Sequence, residues 1–192
     1  MTILTLEAAP AAEPITLADA REQLRIDGTD EDTTLARLIS TATAYMDARG
    51  ALGRAMITQT WAQWERPQGQ VKLYIGPFQS LTSVEYYDAA GTLQADTLSN
   101  YEAIKYNDFT VIRPKDGFSW PSFEDRPDAA KITFVAGYGD AATDVPETVR
   151  HAMLMLVTHW FERREPSSER NMQDIPWSVE ALLNMERVRW YG

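Results

Sequence analysis

Residues 56–65 read Met56-Ile57-Thr58-Gln59-Thr60-Trp61-Ala62-Gln63-Trp64-Glu65. A run this rich in β-branched and aromatic residues has the composition of a strand. What precedes it does not. Leu17, Ala20 and Leu24 recur at spacings of three and four, and Leu35, Leu38, Ile39, Ala42 and Met46 repeat the pattern, so two amphipathic helices are predicted. Thr16 is placed to cap the first, with Asp19 at its third position, where an acid suits the positive end of the dipole. Asp27-Gly28 ends it, Thr29-Asp30-Glu31-Asp32 opens the second, and Gly50 stops that one. The change of period just before residue 56 decides the fold class. The chain is α+β.

Further strands are predicted at 71–75, 81–87, 101–106, 109–113 and 130–136, with hairpin connections at 88–91 and 107–108. Residues 56–139 are thus expected to be a small antiparallel β region inserted into a helical domain made of 15–55 and 140–192. Helical period returns after Pro146, which suits a first helical position and is followed by Glu147. Val149, Met153, Leu156, Val157, Trp160 and Phe161 make one broad apolar face. A last helix opens at Pro176 or Ser178 and carries Val179, Leu182, Leu183 and Met185, with Arg187 and Arg189 in its final turn. That gives a bundle of about four helices, with Leu35, Ile39, Trp160 and Phe161 in its packing. Residues 1–14, rich in Ala and Pro, are expected to be a flexible arm, and 167–175 a mobile polar linker.

Length and composition exclude several classes. A chain of 192 residues with 44% hydrophobic and 24% charged residues can bury a core, in one domain or two small ones. Its 18 Lys+Arg against 28 Asp+Glu leave a net charge of −10, which argues against gripping nucleic acid but not against DNA passing nearby. With no cysteine there is no disulfide, thiolate metal site or Cys nucleophile. No stretch approaches the roughly 20 apolar residues of a membrane span, and residues 1–14 lack the features of a secretory signal. A soluble protein made inside the cell is expected.

Few side chains are spaced for chemistry. His151 and His159 share a helix face but lie about 12 Å apart by the helical rise, too far to hold one metal. Ala136-Gly137-Tyr138-Gly139-Asp140 and Gly50-Ala51-Leu52-Gly53-Arg54 lack the Lys-Ser/Thr of a phosphate loop and the third glycine of a dinucleotide loop, and read as turns. Asp30/Asp32 and Asp125/Asp128 are pairs that 28 acids produce by chance, and there is no Gly-x-Ser-x-Gly. No cofactor, metal or catalytic residue is expected. Six tryptophans and eight tyrosines exceed what one modest core needs, and such side chains are favoured at interfaces. Trp177 and Trp190-Tyr191 flank the last helix. Either that helix folds back on the one before it, or it docks into a neighbouring subunit or partner.

The order of local sequences resembles the head–tail connector, or adaptor, proteins of long-tailed phages and gene transfer agents. The resemblance is carried by Pro14-Ile15-Thr16-Leu17-Ala18-Asp19-Ala20, Leu24-Arg25-Ile26-Asp27-Gly28-Thr29-Asp30-Glu31-Asp32, residues 35–45, and Gly53-Arg54-Ala55-Met56-Ile57-Thr58-Gln59-Thr60-Trp61. It continues through Pro77-Phe78-Gln79-Ser80-Leu81-Thr82-Ser83-Val84, Phe134-Val135-Ala136-Gly137-Tyr138 and Val145-Pro146-Glu147. It closes with residues 159–165 and 175–183. The β insertion makes this chain longer than the smallest, mostly helical members.

The resemblance implies a structural virion component at the portal vertex, made in the bacterial cytoplasm. It implies a ring of about twelve copies closed by cyclic symmetry, seated on the portal protein and offering its other side to a tail-proximal stopper or tail-completion protein. DNA would pass through the channel without sequence-specific binding. Portal docking is expected of the C-terminal segment, through Trp177, Leu182, Arg187, Arg189, Trp190 and Tyr191, and truncation after Pro176 is expected to leave a folded monomer that no longer binds. Residues 150–192 carry six Arg and six Asp+Glu, so the −10 lies in residues 1–149, which suits an acidic channel wall. The alternatives are a stopper or tail-completion protein, or a carbohydrate-active or hydrolytic enzyme with a Trp-lined cleft and paired carboxylates.

Overall fold

The computed structural model describes residues 2–163 and 175–187. Among them the chain forms four α-helices and eight strands in two antiparallel sheets, a mixed α+β architecture. It divides into two compact units. One comprises Met1–Pro10 and Thr58–Gly137, the other Ala11–Ile57 and Tyr138–Gly192.

The first unit holds all the strands: β1 (Ile3–Ala8), β2 (Gln59–Glu65), β3 (Val71–Leu73), β4 (Phe78–Tyr87), β5 (Leu93–Ala95), β6 (Tyr101–Lys105), β7 (Thr110–Pro114) and β8 (Ala130–Ala136). Their order is β1-β2-β8-β4-β5 in one sheet and β3-β7-β6 in the other. On β2, Gln59, Trp61 and Gln63 share a face by the two-residue period, and all three are buried. Trp61 stands opposite Phe134 of β8 and Gln63 opposite Ile132. Buried amides need partners, and both glutamines have them. Gln59 accepts the Trp61 indole N–H at 3.0 Å. The Gln63 amide donates to the Lys72 carbonyl at 2.8 Å and accepts from the Tyr74 N–H at 3.1 Å, which ties β2 to β3 and the residue that follows it.

Two strands were not foreseen. Residues 3–8, expected within a flexible arm, form β1, antiparallel to β2 with Ile3 opposite Trp64 and Leu6 opposite Trp61. The Ala- and Pro-rich residues 8–14 hid the β-forming Ile3-Leu4-Thr5-Leu6, whose pairing is entirely long-range. β5 escapes because three exposed residues show no period. Elsewhere the strands fall where expected, with ends shifted: β2 starts at Gln59, because Met56 and Ile57 are buried in the other unit's core.

The second unit is built on α1 (Leu17–Leu24), α2 (Asp32–Met46), α3 (Glu147–Glu162) and α4 (Trp177–Glu186). Thr16 is the N-cap of α1 as expected, its hydroxyl accepting from the Asp19 N–H while the Asp19 carboxylate accepts the Thr16 N–H at 2.8 Å. α1 ends earlier than Gly28, at Arg25, whose backbone takes the left-handed form at φ 55°. α2 likewise ends before Gly50, which serves the following turn: a Cβ there would lie 2.1 Å from the Tyr45 carbonyl oxygen. Pro146 is the N-cap of α3, not its first helical residue. Leu35, Ile39, Met46, Met153, Leu156, Val179 and Leu183 are among the buried core residues, and Trp160 and Phe161 pack against them partly exposed.

Candidate functional site

α4 is the element on which the sequence placed a docking role, and its geometry is specific. Val179 and Leu183, four apart, are 0% and 1% exposed and enter the same core as α3. Ile175 and Leu182 pack at the edge of that core. Of the two readings for this helix, folding back within its own chain is the one observed. Truncation after Pro176 would therefore remove Val179 and Leu183 from the core, and the expectation that it leaves an intact monomer is corrected accordingly.

The opposite side of α4 is open. Trp177 is 82% exposed and Met185 71%. They lie eight residues apart with the half-buried Ala181 midway, so the three form one stripe about 12 Å long. Met185, read from the sequence as part of the core face, belongs to this stripe. At 100° per residue it sits about 120° away from Val179 around the helix. The periodicity could have shown this, had Val179 and Leu183 been taken as the core pair.

The C-terminal end of α4 is fastened at three points. Arg54 Nε donates to the Glu186 carbonyl at 2.8 Å, Arg187 Nε donates to the Ala51 carbonyl at 2.8 Å, and the Thr148 hydroxyl donates to Glu186 Oε1 at 3.0 Å. Cationic donors at a helix C-terminus also oppose its negative dipole end. Burial pushes the nearby Tyr138 hydroxyl above its ordinary value; Arg54 pulls it back and Glu186 adds to the rise.

Of the six residues expected to dock on a portal, the structure brings Trp177, Leu182 and Arg187 onto α4 and its C-cap. Trp177 projects outward, Leu182 is partly covered by the core, and Arg187 is exposed yet engaged with Ala51. Arg189, Trp190 and Tyr191 lie outside the described residues, as do residues 167–174 of the expected linker.

Three of the four carboxylates in the Asp30/Asp32 and Asp125/Asp128 pairs are engaged by arginines. Asp32 receives a two-pronged pair from Arg21. Asp125 pairs with Arg66, while Asp128 takes both Nε and Nη2 of Arg126 at 2.7 Å. Hydrogen bonding from Arg126 holds the Asp128 carboxyl below its usual range. His151 is exposed. His159 is partly buried, and burial lowers its pKa, with the Arg163 cation acting in the same direction. Among the described residues no three His, Asp or Glu side chains gather as a metal would require. A groove of about 770 Å³ beside Trp120 is lined by Pro67, Gln68, Gly69, Gln70, Arg113, Pro114, Phe118 and Ser119 as well, none of them a carboxylate. Gly139 lies against Asp144, whose carboxylate accepts the Ala141 N–H at 2.9 Å and leaves no room for a Cβ at Gly139.

Comparison with known proteins agrees with the resemblance read from the sequence. Residues 14–86 match the family model described as "Phage gp6-like head-tail connector protein". No curated protein matches the sequence. Among solved structures, a chain of the "Neck of empty GTA particle computed with C6 symmetry" superimposes with a TM-score of 0.79 at 22% identity, over 99% of this chain and 98% of that one. A chain of the "Virion of native gene transfer agent (GTA) particle" gives 0.77 at 23% identity, with the same coverage. A chain of the "Neck of native GTA particle computed with C12 symmetry" gives 0.67 at 19% identity over 98% of each. Residues 14–86 thus match the Phage gp6-like head–tail connector family model, and the fold of the whole chain is similar to that of chains in gene transfer agent particles.

Proposed function

We propose that this chain is a head–tail connector subunit: a structural, non-catalytic adaptor in the neck of a phage or gene transfer agent particle. Copies form a ring of about twelve on the portal protein, present their other side to a stopper or tail-completion protein, and surround the DNA channel. The helical unit is the adaptor body, a four-helix arrangement into which residues 56–139 insert as a β region. The observation that carries the reading is the coincidence of a connector-family match over residues 14–86 with a neck-particle fold over 99% of the chain.

Portal docking falls to the outer stripe of α4 together with the residues that follow it. Trp177 supplies the large apolar area at low entropic cost that anchors an interface, and Met185 extends it. Arg189, Trp190 and Tyr191 add a cation and two aromatic side chains to the docking segment. The channel wall comes from residues 1–149, which hold the whole net charge of −10. An acidic wall repels the DNA backbone and lets it slide. Like-charged neighbours also oppose ring closure in free solution, so assembly uses the portal as template.

The test is the mass of the purified protein in solution, alone and mixed with its cognate portal. A monomer that joins the portal as a ring of about twelve is the expected result. A monomer with no affinity for the portal overturns the adaptor reading. Binding only to the tail-side partner makes the chain a stopper instead.

A further inference from the structure

Strands β7 and β8 are joined by residues 115–129, with no helix or strand among them. Connections of that length are uncommon in compact units and are usually either binding loops or disordered. This one is fixed by specific bonds. The Lys115 N–H donates to the Asn100 carbonyl at 2.8 Å, the Glu124 N–H to the Tyr87 carbonyl at 2.9 Å, and the Trp120 indole N–H to the Gly69 carbonyl at 2.7 Å. Tyr101 packs on Trp120 with ring centroids 4.9 Å apart. Phe118, by contrast, is 55% exposed. Both aromatic side chains line the groove of about 770 Å³ described above, a volume ordinary for a small-ligand site.

The lining restricts what the groove can hold. Among the described residues its only charged side chain is Arg113, which pairs with Glu102 through Nε at 2.7 Å and Nη2 at 2.6 Å, so a phosphate or carboxylate finds no free cation there. A wholly apolar ligand would cover Gln68, Gln70 and Ser119 and leave their polar atoms without partners, which costs free energy. A proline-rich peptide presents carbonyl acceptors and few donors, while the Trp120 N–H, a donor only, is already spent on Gly69. What fits is a neutral ligand with an apolar face and a rim of groups that both donate and accept. Hydroxyls do both, as do the side chains of Gln68, Gln70 and Ser119.

We propose that this groove binds a neutral oligosaccharide. A pyranose ring has the required division, with C–H bonds on its faces and hydroxyls around its edge. Trp120, its N–H spent and its position fixed, offers carbon surface to such a face, and the exposed Phe118 offers more. The two amides and the Ser119 hydroxyl take the sugar hydroxyls. Cleaving a glycosidic bond needs a pair of carboxyl groups flanking it, and none lines the groove, so the sugar is held and not cut. The proposal concerns the β unit alone and goes beyond the connector reading, which gives these residues no ligand.

The test is amide NMR of the purified, isotope-labelled chain, titrated separately with cellohexaose, maltohexaose and chitohexaose, and with decaproline as the peptide control. The expected result is a saturable shift with at least one hexasaccharide, confined to residues 67–70 and 113–120 and the Trp120 indole, with a Kd of about 0.1–1 mM. Phe118→Ala and Gln70→Ala change exposed positions. Each should keep the parent's circular dichroism and weaken that binding at least about tenfold. No saturable shift with any of the three sugars overturns the proposal, as do shifts confined to other parts of the chain. Parent-like binding by the folded Phe118→Ala and Gln70→Ala chains overturns it too. Decaproline shifting these residues while the sugars do not makes the groove a peptide site and likewise overturns it.

Discussion

Arg54 and Glu186 are 132 residues apart in sequence, and the Arg54 Nε–H meets the Glu186 carbonyl oxygen at 2.8 Å. That bond joins the turn after α2 to the last residue of α4. A charged donor on a helix-terminal carbonyl contributes about 1 kcal/mol in a partly buried setting. Arg54→Ala should therefore leave the fold intact but let the end of α4 open more often. Native-state hydrogen exchange should show amides of α4 exchanging roughly fivefold faster, with α2 and α3 unchanged. Unchanged exchange in α4 would mean that Val179 and Leu183 alone hold the helix.

The two sides of α4 should respond in opposite ways to truncation. Trp177→Ala removes a side chain that is 82% exposed, so stability should stay within about 0.5 kcal/mol of the parent. Portal binding should weaken at least about tenfold, as for an interface anchor. Leu183→Ala opens a cavity in the core and should cost about 2–5 kcal/mol of unfolding free energy. Chemical denaturation of both variants, with portal binding of Trp177→Ala, separates docking from folding. If Trp177→Ala binds the portal normally, the outer stripe of α4 is not the docking surface.

This division of α4 shows where the sequence was legible and where it stopped. The helices announce themselves because a 3.6-residue period is local, and Thr16 with Asp19 marks the start of α1 through side chains three apart. Strands β2, β4 and β6 to β8 are dense in β-branched and aromatic residues and are equally readable. β1 is not, because its pairing with β2 is made across some 55 intervening residues and its neighbours in sequence are Ala and Pro. α4 is too short for its period to choose between two nearly equal apolar faces. Only the packing of Val179 and Leu183 on α3 decides that Met185 faces out. The Arg54–Glu186 and Arg187–Ala51 bonds carry no sequence signal at all, since any exposed arginine would look the same.

Gly50 makes a prediction of a different kind. A Cβ at this position would lie 2.1 Å from the Tyr45 carbonyl oxygen and 2.6 Å from its carbon. Those are backbone atoms, and the same oxygen accepts the Ala51 N–H at 2.8 Å. The chain cannot yield without breaking the turn that brings Leu52 into the core. Gly50→Ala should therefore destabilise by about 3 kcal/mol or more, as strained backbone substitutions do. Gly53→Ala tests the contrast: nothing lies within 4 Å of its Cβ, so only its positive φ of 66° opposes the change, a cost of about 1 kcal/mol. Equal melting temperatures for the two variants would refute the steric account of Gly50.

Acid should loosen α1 before it reaches the cores. The Thr16 backbone N–H, bonded to the Asp19 carboxylate, holds its pKa below the ordinary aspartate value, aided by the Thr16 hydroxyl and the Arg150 cation and opposed by partial burial. The folded-state pKa is thus lower than the unfolded one. Such a group adds stability that is fully present above the unfolded pKa, near 3.9, and is lost as pH falls through the lowered folded value. Asp19→Asn removes that dependence, so its stability should fall less steeply than the parent's as pH drops below about 4. At neutral pH, Thr16→Ala should cost about 1 kcal/mol by deleting the cap. Denaturant midpoints across that pH range are the measurement. Parallel acid limbs for the parent and Asp19→Asn would show that the capping carboxylate does not contribute to the pH dependence of the fold.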